Sequence, residues 1–295
     1  MSVPKCQRSA GVAAIRFRFM WGEILTTSEV DYCRSVRDEL SSVSWVAPLL
    51  ARLEHEPWNY QTKPLLFELR VAAELHRAGL TAHYEYPTGI GSSSVDFQFE
   101  YKGREWLVEV VSILVSDAVK AASWESGMMF GTDLSSDAVD PRQSPGAELI
   151  VAQQKIGEKV WDGETWVKFP APTSSRYHVI LADMRGMAIT GGDRGDYAQL
   201  AYGPQALSSL DVPIALRFNG ELVRGVFEPM NNRLRSAAAI RQRIHFLGFC
   251  NDEIYEPGSM QCASSYLPNP HLLGHEETAT ALQTLALRGR GGRTS

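Results

Sequence analysis

The stretch Val95-Asp-Phe-Gln-Phe-Glu-Tyr-Lys-Gly-Arg-Glu-Trp-Leu-Val-Glu-Val-Val-Ser-Ile113 decides the fold. Val95, Phe97 and Phe99 alternate with Asp96, Gln98 and Glu100, the period of two that a half-buried strand requires. Lys102-Gly103 is a two-residue turn signal, and Trp106 to Ile113 is apolar on both faces except at Glu109. The spacing therefore predicts a hairpin whose second strand is buried centrally in a sheet.

Working outward, Leu65, Leu66, Leu69, Ala72, Ala73 and Leu75 recur at helical spacing after Pro64, and Gly79 supplies a stop, which predicts a helix over 64–78. Thr81 to Pro87 alternates as a strand, and Thr88 to Ser94 is a Gly/Ser turn. On the other side, 116–145 is polar and reads as a long loop. Leu149, Ala152, Ile156 and Val160 then predict a helix over 146–160, and Tyr177 to Asp183 is a further buried strand. Helix, three strands, helix, strand is an α/β order. The expected architecture is a mixed central sheet of four or more strands flanked by the helices 64–78 and 146–160.

Around this core, residues 58–190, lie extensions. Residues 1–57 read as an N-terminal helical extension with Ser28 a candidate N-cap. Residues 191–274 read as a C-terminal extension with a short helix after 191–203 and strands at 214–218, 223–227 and 244–249. The end, 275–295, closes on the basic Leu287-Arg-Gly-Arg-Gly-Gly-Arg-Thr-Ser295 and is expected to be a flexible tail.

The chain has 295 residues, 44% of them hydrophobic and 21% charged, which suits a packed protein with one sizeable core. Its formal net charge of −5 excludes a polybasic protein that binds nucleic acid by bulk charge alone. Cys6, Cys33, Cys250 and Cys262 show no CxxC pairing and no histidine at zinc-finger spacing, so buried free thiols in a reducing, cytoplasmic setting are expected. No run reaches the ~20 apolar residues of a membrane span, so no membrane partner is expected.

Chemistry concentrates in the acids of the hairpin. Glu109 sits inside Trp106-Leu-Val-Glu-Val-Val-Ser-Ile113, where an ionised carboxylate must be paired, neutralised or metal-bound. A bridge to Arg70 or Arg185 would serve as well as a metal. Asp96 is the matching acid of the preceding strand. Glu68 lies on the helix between Phe67 and Leu69, where a plain helix-surface acid is the alternative. Gly89-Ile-Gly-Ser92 lacks the context of a phosphate loop and reads as a hairpin loop. His83 and His178 read as satisfied edge or core histidines. Ser112 and Asp183, at strand ends, could line the same cleft as the acids.

Glu68 on a helix, Asp96 on a strand, twelve intervening residues and Glu109-Val110-Val111 on the next strand, followed by a helix and a strand, resemble the PD-(D/E)XK nuclease core over roughly residues 60–185. The resemblance implies a restriction-endonuclease-like fold and Mg²⁺- or Mn²⁺-dependent hydrolysis of phosphodiester bonds. It implies a cation bound by Asp96, Glu109 and the Val110 carbonyl, supported by Glu68, with nucleic acid as partner, DNA ahead of RNA, and a homodimer as one arrangement. The family's lysine, two residues beyond the second acid, is here Val111. Some members supply it from the next helix, where Gln154, Lys155 and Lys159 lie. Lys159 is favoured, Lys155 is the alternative, and Gln154 could orient water or phosphate; two solvated surface lysines are the competing reading. A catalytically degenerate module that binds nucleic acid or a protein is the competing function.

Overall fold

The hairpin forms as the sequence requires. In the computed structural model, which describes residues 25–126, 129–132, 138, 140–163, 166–187, 194–209, 215–231 and 233–287, β2 (Ser94–Tyr101) and β3 (Arg104–Ser112) pair antiparallel. Their turn residues Lys102 and Gly103 have φ of 51° and 72°, the two positive values of a type I′ turn. β1 (Ala82–Pro87) lies on the outer side of β2. The sheet continues from β3 through β4 (Arg176–Asp183) and β5 (Phe246–Cys250) to β6 (Ser264–Pro268). β3, β4 and β5 run parallel; the other neighbours run antiparallel. The fold is a six-stranded mixed α/β sheet with helices on both faces.

Alternation along the strands divides the sheet into two cores. Phe97, Phe99, Trp106, Val108 and Val110 face α1 (Thr27–Leu40), α2 (Ala47–His55) and α3 (Lys63–Arg77). Leu107, Val111, Ile180 and Phe249 face α5 (Pro145–Glu158), which follows the short α4 (Asp117–Ala121), and then α6 (Arg194–Tyr202) and α7 (Ala237–Arg243). α3 ends in the expected way: Gly79, at φ 76°, donates to His76 O at 2.8 Å, and Leu80 N donates to Leu75 O at 3.1 Å. These are the two bonds of a Schellman cap.

Elsewhere the structure corrects the sequence reading. α1 is capped by the Thr26 hydroxyl, which accepts from Glu29 N, not by Ser28. The 116–145 stretch contains α4 and a hairpin of Ser123–Ser126 with Met129–Thr132, so it is not one loop; Asp133 and Asp137 lie outside the described residues. Of the strands expected in the C-terminal extension, only the one at 246–250 joins the main sheet. Residues 217–218 pair with 221–222 in a separate hairpin, 223–227 form no strand, and β6 was not anticipated. Two-residue strands carry too little periodicity to read.

Residues 275–287, expected in a flexible tail, instead begin with α9 (His275–Gln283), which follows α8 (Ser259–Cys262). They bury Ala281, Leu282, Leu285 and Leu287. The apolar period was masked by the basic residues behind it; 288–295 lie outside the described residues, as do 1–24 with Cys6. Cys33 and Cys250 are buried free thiols, and Cys262 is exposed, so the expectation of burial fails for Cys262. No helix among the described residues is long and apolar enough to cross a membrane.

A buried charge network joins α1 and α3 to the carboxyl ends of β4 and β5. Arg185 reaches Asp183 and Glu29, each at 2.6 Å, and Arg70 pairs with Asp252. Glu29 and Asp252 are fully buried. Removing one partner strands the other charge, so Arg185→Met is expected to destabilise the fold by about 3–5 kcal/mol. Urea unfolding of the variant checks this; a loss under 1 kcal/mol would show that the network is hydrated.

His178 lies fully buried on β4, its Nδ1 2.6 Å from Arg243 O. Burial, reinforced by His245, pushes its pKa down to about 3. The folded imidazole therefore stays neutral while the unfolded one protonates below ~6.5, so stability is present above that pH and is lost as pH falls toward the folded value. His178→Gln, which has no such titration, should cost less at pH 5 than at pH 7.5, by about 2 kcal/mol. Equal differences from wild type at both pH values in urea unfolding would contradict the buried neutral state.

Candidate active site

The β2/β3 ladder ends at Phe97↔Val108, and in the next position the Asp96 Oδ2 accepts the Val110 N–H at 2.6 Å. A carboxylate thus stands where the next rung of backbone would be, and the two strands part. N–H and C=O of one strand residue point the same way, so the Val110 carbonyl faces the same opening. On its other side, β2 pairs with β1 on both flanks of this point, but the ladder omits Glu85 opposite Asp96. Glu85 has φ 51°, a left-handed conformation that non-glycine residues adopt at some cost.

The opening lets helices on opposite faces of the sheet share one site. From the α5 face, Lys159, the C-cap of α5, places Nζ 3.0 Å from Glu109 Oε1 and 4.0 Å from Asp96 Oδ2. From the α3 face comes Glu68, whose Oε2 accepts from the Tyr84 hydroxyl at 2.7 Å and lies 3.7 Å from Arg52. Arg52, near the end of α2, also bonds Glu85 at 2.9 Å and donates to the Tyr84 hydroxyl. The hydroxyl and guanidinium hold the Glu68 carboxylate in place.

A second lysine completes the cluster. After α5 the chain makes a hairpin of Trp161–Asp162 with Trp166–Val167, docked on the turn before β2 by the Ser93 hydroxyl donating to Asp162 at 2.7 Å. Lys168 follows, with its N–H on Val160 O at 3.0 Å and its Nζ 2.5 Å from Glu109 Oε1. Both ammonium groups share one Glu109 oxygen. The other, Oε2, is buried without a partner, an acceptor with lone pairs to spare.

The electrostatics follow from burial and crowding. Glu109, 2% exposed, has its pKa pushed up to about 7 by burial and then by the neighbouring Asp96 charge, against the pull of Lys159 and Lys168. Glu68 is likewise raised to about 7 by burial and by Asp96, with Tyr84 and Arg52 opposing. Burial works against the Lys159 ammonium, but Asp96, Glu109 and Glu68 together outweigh it and raise its pKa. The Asp96 charge raises the pKa of both Glu68 and Glu109, and all three carboxylates favour the Lys159 ammonium, which marks a locus of negative potential.

Of the residues singled out in the sequence, Glu68, Asp96, Glu109, Val110 and Lys159 surround this opening. Gln154 and Lys155 do not reach it. Both are exposed on the outer side of α5, and Lys155 pairs with Glu158 at 2.9 Å. Neither Arg70 nor Arg185 bridges Glu109, since both are held in the buried network. Ser112 and Asp183 lie 3.4 Å apart, and Asp183 is bound to Arg185; alternation puts them on the other face from Glu109, so they do not line the cleft. Sequence reasoning missed Lys168, Tyr84 and Arg52. Lys168 carried a signal, a lone charge between Val167 and Phe169; Tyr84 and Arg52 carried none.

Beside Glu68 a groove of about 450 Å³ runs between α2 and the start of α3, lined by Arg52, His55, Asn59, Gln61 and Glu68 among others. Among the described residues no group of three or more His, Cys, Asp or Glu side chains is arranged to hold a metal ion. Asp96 and Glu109 with the Val110 carbonyl make two side chains and one backbone oxygen, enough for Mg²⁺, which takes one or two carboxylates and fills its octahedron with water and phosphate. The orphaned Oε2 of Glu109 fits such a ligand. No protein family matches the chain, and neither does any curated protein or solved structure.

Proposed function

We propose that the chain is a metal-dependent nuclease with a restriction-endonuclease-like core of the PD-(D/E)XK kind. The observation that carries this reading is the convergence of Asp96, Glu109 and Lys159, with Glu68 behind them, at the point where β2 leaves β3. The order of helix, hairpin, helix and parallel strand supports it.

Asp96, Glu109 and the Val110 carbonyl would hold Mg²⁺ or Mn²⁺, and Glu68, oriented by Tyr84 and Arg52, would bond a water at the cation's edge. A bound cation supplies charge for the phosphate and a more acidic water. Lys159, 3.0 Å from Glu109, would steady the attacking water and the charge growing on the phosphate oxygens. It takes the role that Val111 cannot fill, and Lys168 stands as a second cation on the same oxygen. DNA is proposed ahead of RNA as the substrate, with a homodimer as one arrangement. Free thiols at Cys33 and Cys250 suit a cytoplasmic protein.

A second reading rests on the same lysines. With two ammonium groups on Glu109 and Val111 in the usual lysine position, the site is neutralised internally, as in a degenerate module that binds nucleic acid or a protein without cutting. Purified protein incubated with labelled single- and double-stranded DNA and RNA, in Mg²⁺, Mn²⁺ or EDTA, separates the two. The nuclease reading expects cleavage that EDTA stops; binding without cleavage in every metal supports the module.

A further inference from the structure

One segment within the C-terminal extension has a charge balance unlike the rest of the chain. Residues 215–243 hold six arginines and two glutamates, four positive charges in excess, in a protein of net charge −5. Arg217, Arg224, Arg233 and Arg235 are exposed. The acidic remainder would repel a polyanion; this segment would not.

The extension lies against α5. A Cβ on Gly146, in the first turn of α5, would meet the Arg217 carbonyl, and one on Gly157, in its last turn, would meet the Ser236 hydroxyl and Leu234. Eleven helical steps separate these glycines, a length of about 16 Å. Glycine at both positions lets the extension sit directly on the helix.

Three exposed arginines are fixed locally between these points. Arg217 and Phe218 pair with Leu222 and Glu221; Arg233 lies 5.4 Å over the Phe218 ring and bonds Glu221 at 2.5 Å. Two residues on, Arg235 lies 5.7 Å over Trp161, in the hairpin that carries Lys168, and Trp161 is two residues from Lys159. Arg235 therefore rests on the same short segment that carries Lys159 and Lys168, the two lysines that touch Glu109. Arg233 and Arg235 are held on aromatic rings and Arg217 by its bond to the Gly220 carbonyl at 2.8 Å; a guanidinium fixed in this way can present donors to phosphate oxygens.

We propose that Arg217, Arg233 and Arg235 form a track along α5 that binds the sugar–phosphate backbone of a nucleic acid and leads it to the opening between β2 and β3. The proposal rests on the nuclease reading for its direction, but the binding stands apart from cleavage. About 16 Å spans about five base pairs of a duplex at 3.4 Å each. The track explains how an acidic protein holds a polyanion: attraction is confined to one side of the site.

The test is fluorescence anisotropy of a labelled 20-base-pair DNA and its single strand, in EDTA so that nothing is cut, across 50–300 mM salt. The triple variant R217Q/R233Q/R235Q should bind at least about ten-fold more weakly than wild type near 0.15 M salt, with the slope of log K against log salt shallower by about two to three for the duplex. R34Q/R37Q, two arginines on α1, should bind as wild type, and circular dichroism should show both variants folded. If the triple variant keeps wild-type affinity and slope, or wild type binds neither probe, the track is refuted. Loss of binding in the triple variant together with no cleavage by wild type in any metal keeps the track and refutes the nuclease. Cleavage by a triple variant that binds as wild type does the reverse.

Discussion

Glu109→Gln and Asp96→Asn are each expected to abolish Mg²⁺-dependent cleavage, a loss of at least about a thousand-fold, or ~4 kcal/mol of transition-state stabilisation. Each amide keeps the size of the acid it replaces and removes the charge that would hold a cation. The fold should survive. Asp96→Asn can still accept the Val110 N–H through its carbonyl oxygen. Glu109→Gln keeps a side-chain oxygen to which Lys159 and the more buried Lys168 can still donate, and Lys159, about a third exposed, also reaches water. Thermal unfolding should place both variants within a few degrees of wild type. A folded Glu109→Gln that cleaves at the wild-type rate would show that the strand acids are structural.

Lys159→Ala should lower the cleavage rate by about a hundred-fold or more while leaving Mn²⁺ affinity unchanged or raised, since it removes a positioned cation and no metal ligand. Lys168→Ala separates two roles for the second lysine. If Lys168 only balances the Glu109 charge, its loss should tighten metal binding with a small effect on turnover; if it meets the phosphate, turnover falls. Lys155→Ala is expected to change neither, because that side chain pairs with Glu158 on the outer face of α5. Full activity in K159A, K168A and the double variant, each measured by initial rates at saturating metal, would end the case for a relocated lysine.

Much of this site was legible in the sequence because its parts sit on strongly periodic elements. Alternation from Val95 to Phe99 and the apolar run around Glu109 left each acid as a visible exception, and the ladder Leu149, Ala152, Ile156 pointed to Lys159 one turn on. The core order of helices and strands followed from the same periods. What was hidden depended on contacts between distant segments. Tyr84 reads as an ordinary strand aromatic until Glu68 is beside it, and Arg52 reads as a helix-surface cation. Lys168 reaches Glu109 only because a two-rung hairpin turns the chain back after α5. Arg70 and Arg185 read as partners for Glu109, yet acids on α1, on β4 and beyond β5 claimed them. Pairings of this kind are set by packing, and no local period announces them.

The central claim is that the parting of β2 from β3 makes a cation site. Crystals soaked in Mn²⁺, with the anomalous signal used to locate the metal, test it most directly. The expected result is a peak about 2.0–2.3 Å from oxygens of Asp96 and Glu109 and from the Val110 carbonyl, with Lys159 drawn off Glu109. A map with no peak there at millimolar Mn²⁺, and with Lys159 and Lys168 still on Glu109, would contradict it.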